Sequence, residues 1–93
     1  MKIQIEPHTL ERAEERGAAV EEIEDVIQNG LTIPARKGRS AKYKIYPFEQ
    51  DRLGTYYKQK RIEVIYLIEN EVIVTVTVFV FYGEWMEENA GSL

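Results

Sequence analysis

Two hydrophobic periods run along this chain, one near 2 and one near 3.6, and they sort it into strands and helices. Lys2 to Glu6 alternates, with Ile3 and Ile5 on one side and Lys2, Gln4 and Glu6 on the other, the pattern of a short strand. Pro7 breaks it and suits the first turn of a helix, where its missing N–H has no intrahelical partner to lose. The helix is predicted over His8–Arg16 and ends at Gly17, a residue that readily takes the left-handed cap conformation. Leu10, Ala13 and Gly17 form its small apolar stripe. A second helix is predicted over Val20–Gln28: Val20, Ile23, Val26 and Ile27 recur at helical spacing, and Glu21, Glu22, Glu24 and Asp25 make the solvent face. Asn29-Gly30 ends it.

Beyond Gly30 the period shortens to 2. Leu31 to Ser40, with Pro34 and Gly38, is predicted to be an irregular connector. Lys42 to Tyr46 alternates, with Lys42, Lys44 and Tyr46 on one face and Tyr43 and Ile45 on the other; Pro47 ends that strand or marks an edge. Glu49 to Gly54 reads as a polar loop, Thr55-Tyr56-Tyr57 as a short strand and Lys58-Gln59-Lys60 as a turn. Arg61–Ile68 and Val72–Tyr82 are rich in β-branched and aromatic residues and read as a hairpin. A three-residue loop, Glu69-Asn70-Glu71, would set Ile62, Val64, Tyr66 and Ile68 against Val72, Val74, Val76 and Val78 as one apolar face for the helices. The other face then carries Arg61, Glu63, Ile65, Leu67, Ile73, Thr75, Thr77 and Phe79, too apolar for plain solvent exposure, and such patches tend to mark partner or ligand surfaces. The fold expected is α+β: an N-terminal strand and two helices on one face of a three- to four-stranded antiparallel sheet. It forms one domain over residues 1–83, with residues 84–93 as an acidic tail.

Composition narrows the function. A chain of 93 residues that is 44% hydrophobic and 30% charged supports one modest core. Without cysteine it has no disulfide framework and no thiolate site. The N-terminus lacks an apolar signal core, and Val72–Gly83 has about half the length of a membrane helix, so a cytoplasmic protein away from membranes is expected. The net charge of -4 is unevenly spread. Residues 36–61 hold nine basic and two acidic side chains, a local charge of +7, between flanks of -5 and -6. A segment of that kind either meets an anionic partner or neutralises the acidic helices of its own fold. Arg36, Lys37, Arg39, Lys42 and Lys44 are the candidates for a nucleic-acid track, and Tyr43, Tyr46, Tyr56 and Tyr57 could stack bases between them. The loop around Gly38 lacks the spacing of a nucleotide-binding P-loop.

The first helix carries the other candidate chemistry. His8, the only histidine, is followed by Arg12 and Arg16 at intervals of four, within roughly 80° of one another on a helix. Either an anion or the neighbouring Glu11 and Glu15 must offset that cationic stripe. One histidine beside two arginines makes a poor metal site, so neither metal nor cofactor is expected. Attack of a ribose 2′-OH on its phosphate needs a base, an acid and cations against the phosphorane charge. His8 suits acid or base work, since an imidazole titrates near neutrality. Arg12 and Arg16 offer forked donors to the phosphate.

The run His8-x3-Arg12-x3-Arg16-Gly17, followed by Glu21-Glu22-Ile23, Asn29-Gly30, a basic segment and Ile73-Val74-Thr75-Val76, resembles a prokaryotic family of unknown function usually grouped with RelE/ParE-type toxins. The likeness covers most of residues 3 to 82, with Ala18 and Ala19 where such sequences usually carry Ile-Ser. It implies a RelE-like domain, a toxin-like ribonuclease of a toxin–antitoxin system working without a metal, with RNA and an antitoxin as partners. The alternative is a non-catalytic protein-interaction module on the same fold, binding a protein or a second copy of the chain through the second sheet face.

Overall fold

The computed structural model describes residues 1–85, so the tail expected over 84–93 lies, from Met86 on, outside the described residues. The elements run β1 (Lys2–Gln4), α1 (Pro7–Arg16), α2 (Val20–Asn29), β2 (Leu31–Ile33), β3 (Ser40–Arg52), β4 (Thr55–Glu69) and β5 (Val72–Gly83). The α+β class and the two-helix layout match expectation. The sheet differs: it has five strands in the order β1-β5-β4-β3-β2, and β1 lies parallel to β5 while the other pairs are antiparallel. The connector predicted over Leu31–Ser40 contributes β2, which pairs with Ala41–Tyr43 as a short edge.

Pro47 does not end β3. The register shifts between Pro47 and Gln50, and the strand continues to Arg52 around that irregularity. The turn predicted at Lys58–Lys60 is part of continuous β4, and the real reversal is the two-residue Leu53-Gly54, both with positive φ (52° and 87°). Such primed turns match the strand twist, whereas a loop of several polar residues would be needed only if the strands were shorter.

The β4–β5 turn is likewise two residues, Asn70-Glu71 (φ 51° and 64°), not three. With that turn Ile68 faces Ile73 and Tyr66 faces Thr75. A bulge then adds one residue to β5, Val76, and restores the expected parity: Val64 faces Val78 and Ile62 faces Val80. The apolar face near the turn is therefore not the valine row Val72, Val74 and Val76. Thr75 takes a buried place there and Ile73 packs against the core.

The core joins Ile23, Val26 and Ile27 of α2 to Ile62, Val64 and Tyr66 of β4 and Val78 of β5, with Ala13 and Ala18 at the α1–α2 junction. Val20, expected inside, is 41% exposed. On α1 the inward stripe is Thr9 and Ala13, and Leu10 faces solvent. Thr9 is tied in by a polar relay: the Glu6 N–H donates to Thr75 Oγ1 (3.0 Å), and the Thr75 hydroxyl donates to Thr9 Oγ1 (2.9 Å). Both hydroxyls are satisfied, so burying them carries little penalty.

Gly17 turns the chain in the left-handed region (φ 96°), and a Cβ there would run into the Tyr82 hydroxyl, so both backbone angle and space call for glycine. At the start of α2, Ala19 has the extended conformation of a cap but no side-chain acceptor. Only the reciprocal half of a capping box forms, the Ala19 N–H donating to Glu22 Oε1 at 2.9 Å. Ala19→Ser should complete it and stabilise the domain by about 1 kcal/mol. Ile62→Ala should cost about 2–5 kcal/mol, since Ile62 is fully buried. Urea unfolding midpoints check both.

Candidate functional site

α1 crosses β5 where β1 stops. β1 pairs only with Val72–Val74, which leaves the far part of the β5 edge open. Arg16, in the last turn of α1, reaches that edge: its Nη1 donates to the Val78 carbonyl at 2.7 Å, and its guanidinium lies 5.1 Å from the Phe79 ring centre. Arg12 Nη1 pairs with Glu15 Oε1 at 2.8 Å, one turn along the helix. His8 is exposed and has no hydrogen-bond or ion-pair partner among the described residues. The three side chains flank the buried Thr9–Ala13 stripe rather than standing opposite it. Their backbones span about 12 Å along the helix, so they form a stripe, not a single pocket.

Seven of the nine cations of the basic segment fall into two groups, and the other two, Lys58 and Arg61, pair with Glu84 and Glu63. Lys42, Lys44, Arg52 and Lys60 are committed to the helices. Lys42 Nζ donates to the Ile27 carbonyl (2.9 Å) at the C-terminal end of α2. Lys44 Nζ pairs with Asp25 Oδ2 at 2.6 Å, and the Tyr46 hydroxyl donates to the same oxygen at 2.6 Å. Lys60 Nζ bridges the Gly17 carbonyl (2.9 Å) and Glu22 Oε1 (3.0 Å), and Arg52 Nη2 donates to the Glu15 carbonyl (3.0 Å). Alternation places Lys42, Lys44, Tyr46 and Lys60 on the helix side of the sheet, beside Val64 and Ile62. Their positive charge therefore meets the acidic α2 and the carbonyl ends of both helices.

That arrangement moves two titrations. The Lys44 ammonium, then the Tyr46 hydroxyl and the Asn29 amide, hold the Asp25 carboxyl far below the usual carboxylate range. Burial, then the hydrogen bond to Asp25, pushes the Tyr46 phenol well above its ordinary value.

The second group is free. Arg36, Lys37 and Arg39 sit in the exposed turn between β2 and β3, closed by the Arg39 N–H donating to the Arg36 carbonyl (2.9 Å), and their side chains have no partner among the described residues. This turn walls a groove of about 590 Å³ on the face of the sheet away from the helices. Pro34, Ala35, Arg36 and Arg39 form one side of it, and Ile65, Thr77 and Phe79 the floor. Phe79 stacks on Phe81 with ring centres 6.4 Å apart and planes 27° apart, and the two are 38% and 47% exposed.

The tyrosines are mostly spoken for. Arg61 lies 3.8 Å from the Tyr43 ring and also pairs with Glu63 (2.9 Å). Tyr57 and Phe48 pack on Tyr82, and Tyr56 stays exposed. Sequence reasoning marked the second face as too apolar but did not place the Arg36–Arg39 turn over it. The signal was the pairing of Ala41 with Ile65, which becomes visible only once β3 begins at Ser40. Among the described residues no three His, Cys, Asp or Glu side chains gather as a metal site, and no helix is long and apolar enough to cross a membrane.

A family model described as a domain of unknown function (DUF4258) matches residues 5–80. The chain belongs to this family. The match takes in α1, α2, the Arg36–Arg39 turn and Phe79. No curated protein and no solved structure matches the chain.

The Asp25 cluster has a pH signature. A carboxyl with a depressed folded-state pKa stabilises the fold above its unfolded value and loses that contribution as pH falls. The unfolding free energy of the wild type minus that of Asp25→Asn should therefore stay level from about pH 8 to 5 and shrink below about pH 4. Urea titrations of both proteins across that range check it.

Proposed function

We propose that this domain belongs with the RelE/ParE-type toxins and that it is an RNA-directed, metal-independent ribonuclease acting in the cytoplasm, restrained by an antitoxin. The observation that carries this reading is the α1 face: the one imidazole of the chain stands exposed and unpaired among the described residues, in line with two guanidiniums. The order of elements, one strand, two helices and an antiparallel meander, supports the RelE-like grouping.

In this reading the ribose 2′-oxygen attacks the adjacent phosphorus and the bond to the 5′-oxygen breaks. One proton leaves the 2′-hydroxyl and one reaches the departing oxygen. His8 fills one of these two proton-transfer roles. Arg12 carries the phosphorane charge, and Arg16 uses donors beyond the one given to Val78, since a guanidinium has five N–H groups. Arg36, Lys37 and Arg39 form the nucleic-acid track. Lys42 and Lys44, first grouped with them, neutralise α2 instead.

The exposed Phe79–Phe81 stack favours a second reading, a protein-interaction module that uses this face without catalysis. If the face joins two copies of the chain, the protein sediments as a dimer and Phe81→Glu returns it to a monomer.

His8→Ala should leave the melting temperature within a degree or two, because the side chain is exposed and unpaired, and should slow RNA cleavage by about 10²- to 10⁴-fold. Cleavage of a labelled RNA at matched protein concentration measures it. Undiminished cleavage removes histidine from the mechanism.

A further inference from the structure

The groove on the outer sheet face lies over β4 and β5, where Ile65, Thr77 and Phe79 present their side chains, beside the part of the β5 edge that β1 leaves open. Its floor is apolar and aromatic, and its rim carries two guanidiniums without partners among the described residues. Arg16 adds a third against the Phe79 ring. The one carboxylate paired across from Phe79, Glu63, is neutralised by Arg61 at 2.9 Å. A flat aromatic surface ringed by forked cations is complementary to a ligand that alternates planar rings with anions, and a single-stranded nucleic acid has that chemistry. A peptide adding to the sheet would draw its affinity from backbone hydrogen bonds along the β5 edge, and there the Val78 carbonyl is already taken by Arg16.

We propose that the outer face is a single-stranded RNA-binding platform in which one base stacks on Phe79 and Phe81 while Arg36 and Arg39 hold the flanking phosphates. This deepens the RNA-directed reading above and rests on it for the identity of the ligand. It moves base stacking from the tyrosines, of which Tyr46 and Tyr57 pack within the fold and Tyr43 is covered by Arg61, to two phenylalanines, and it reduces the phosphate contacts of the basic segment to those of the Arg36–Arg39 turn. The α1 stripe lies beside the platform, joined to it by Arg16, so RNA held on the outer face would pass the β5 edge toward Arg12 and His8.

The test measures fluorescence anisotropy of a fluorescein-labelled single-stranded RNA decamer at several salt concentrations, with His8→Ala as the background so that the probe survives. In that background Phe79→Ala should weaken binding about 5- to 150-fold, the loss of one base–aromatic stack, while Phe79→Tyr should bind like Phe79. Arg36→Ala with Arg39→Ala should flatten the log–log salt slope by about 1.4. The melting temperatures of these variants should stay close to the parent's, because the altered side chains are exposed. RNA affinity indifferent to Phe79→Ala overturns the platform. So does a protein that ignores RNA at low salt but binds polyglutamate in a Phe79-dependent way, which would make the face a docking site for an acidic protein. The nuclease reading is judged separately with unaltered protein. Cleavage abolished by His8→Ala alongside Phe79-independent binding keeps that reading and removes the platform. Phe79-dependent binding with cleavage unchanged by His8→Ala does the reverse.

Discussion

Three carbonyls at the C-terminal end of α1 and the turn that follows it meet side chains from three different strands. Arg52 of β3 takes Glu15, Tyr82 of β5 takes Arg16, and Lys60 of β4 takes Gly17. A helix leaves its last carbonyls without intrahelical partners, and two of the three donors are cations matched to the negative end of the helix. Gly17 lets the chain leave the helix with its own N–H on the Ala13 carbonyl and without fouling Tyr82. Because the donors come from β3, β4 and β5, this one junction fixes where α1 sits over the whole sheet. It thereby fixes the reach of Arg16 onto the β5 edge.

The same requirement at the end of α2 consumes Lys42, and the acidic face of that helix consumes Lys44. The net effect is a sheet whose helix side carries lysines and a tyrosine among its valines. The large aromatics, Phe79 and Phe81, are left facing away. A strand has only two faces, and cross-strand neighbours share one, so each lysine turned inward sends its strand neighbours outward. Tyr43 and Ile45 follow from Lys42 and Lys44 in this way, and the exposed apolar surface of the outer face is partly a consequence of how the helices are neutralised.

The helices and the strong strands were legible because their hydrophobic periods are long and regular: Ile23, Val26 and Ile27 of α2 could face in only one way. The β4–β5 register was not. Val72, Val74, Val76 and Val78 look like one face, and a three-residue turn would make them one. A two-residue turn followed by a bulge at Val76 reaches nearly the same parity at Val78 while turning Thr75 inward near the turn. Sequence alternation cannot distinguish the two, because a bulge adds the same single residue that the longer loop would. The charge reading failed to resolve for a similar reason. Two explanations of the +7 segment were legible; Lys42 and Lys44 follow the one in which the segment neutralises the acidic helices of its own fold, while Arg36 and Arg39, in the turn before β3, stay unpaired among the described residues.

Arg16 is where structure and candidate chemistry meet, and this separates it from the other members of its stripe. Among the described residues His8 has no hydrogen-bond or ion-pair partner and Arg12 pairs only with Glu15 of the same helix, so changing them breaks no bond to the sheet. Arg16 satisfies a strand carbonyl that β1 is too short to reach and lies against Phe79. Losing it leaves the carbonyl of Val78, itself the buried hydrophobic core residue of β5, without its side-chain donor at the open edge of that strand. Loss of activity in an Arg16 variant would therefore mix an altered β5 edge with a missing cation. His8, exposed and unpaired among the described residues, is the one whose substitution reports on chemistry alone. Arg16 instead couples the position of α1 to the shape of the outer face, so a ligand that displaced its guanidinium from Phe79 would also act on the helix that carries His8.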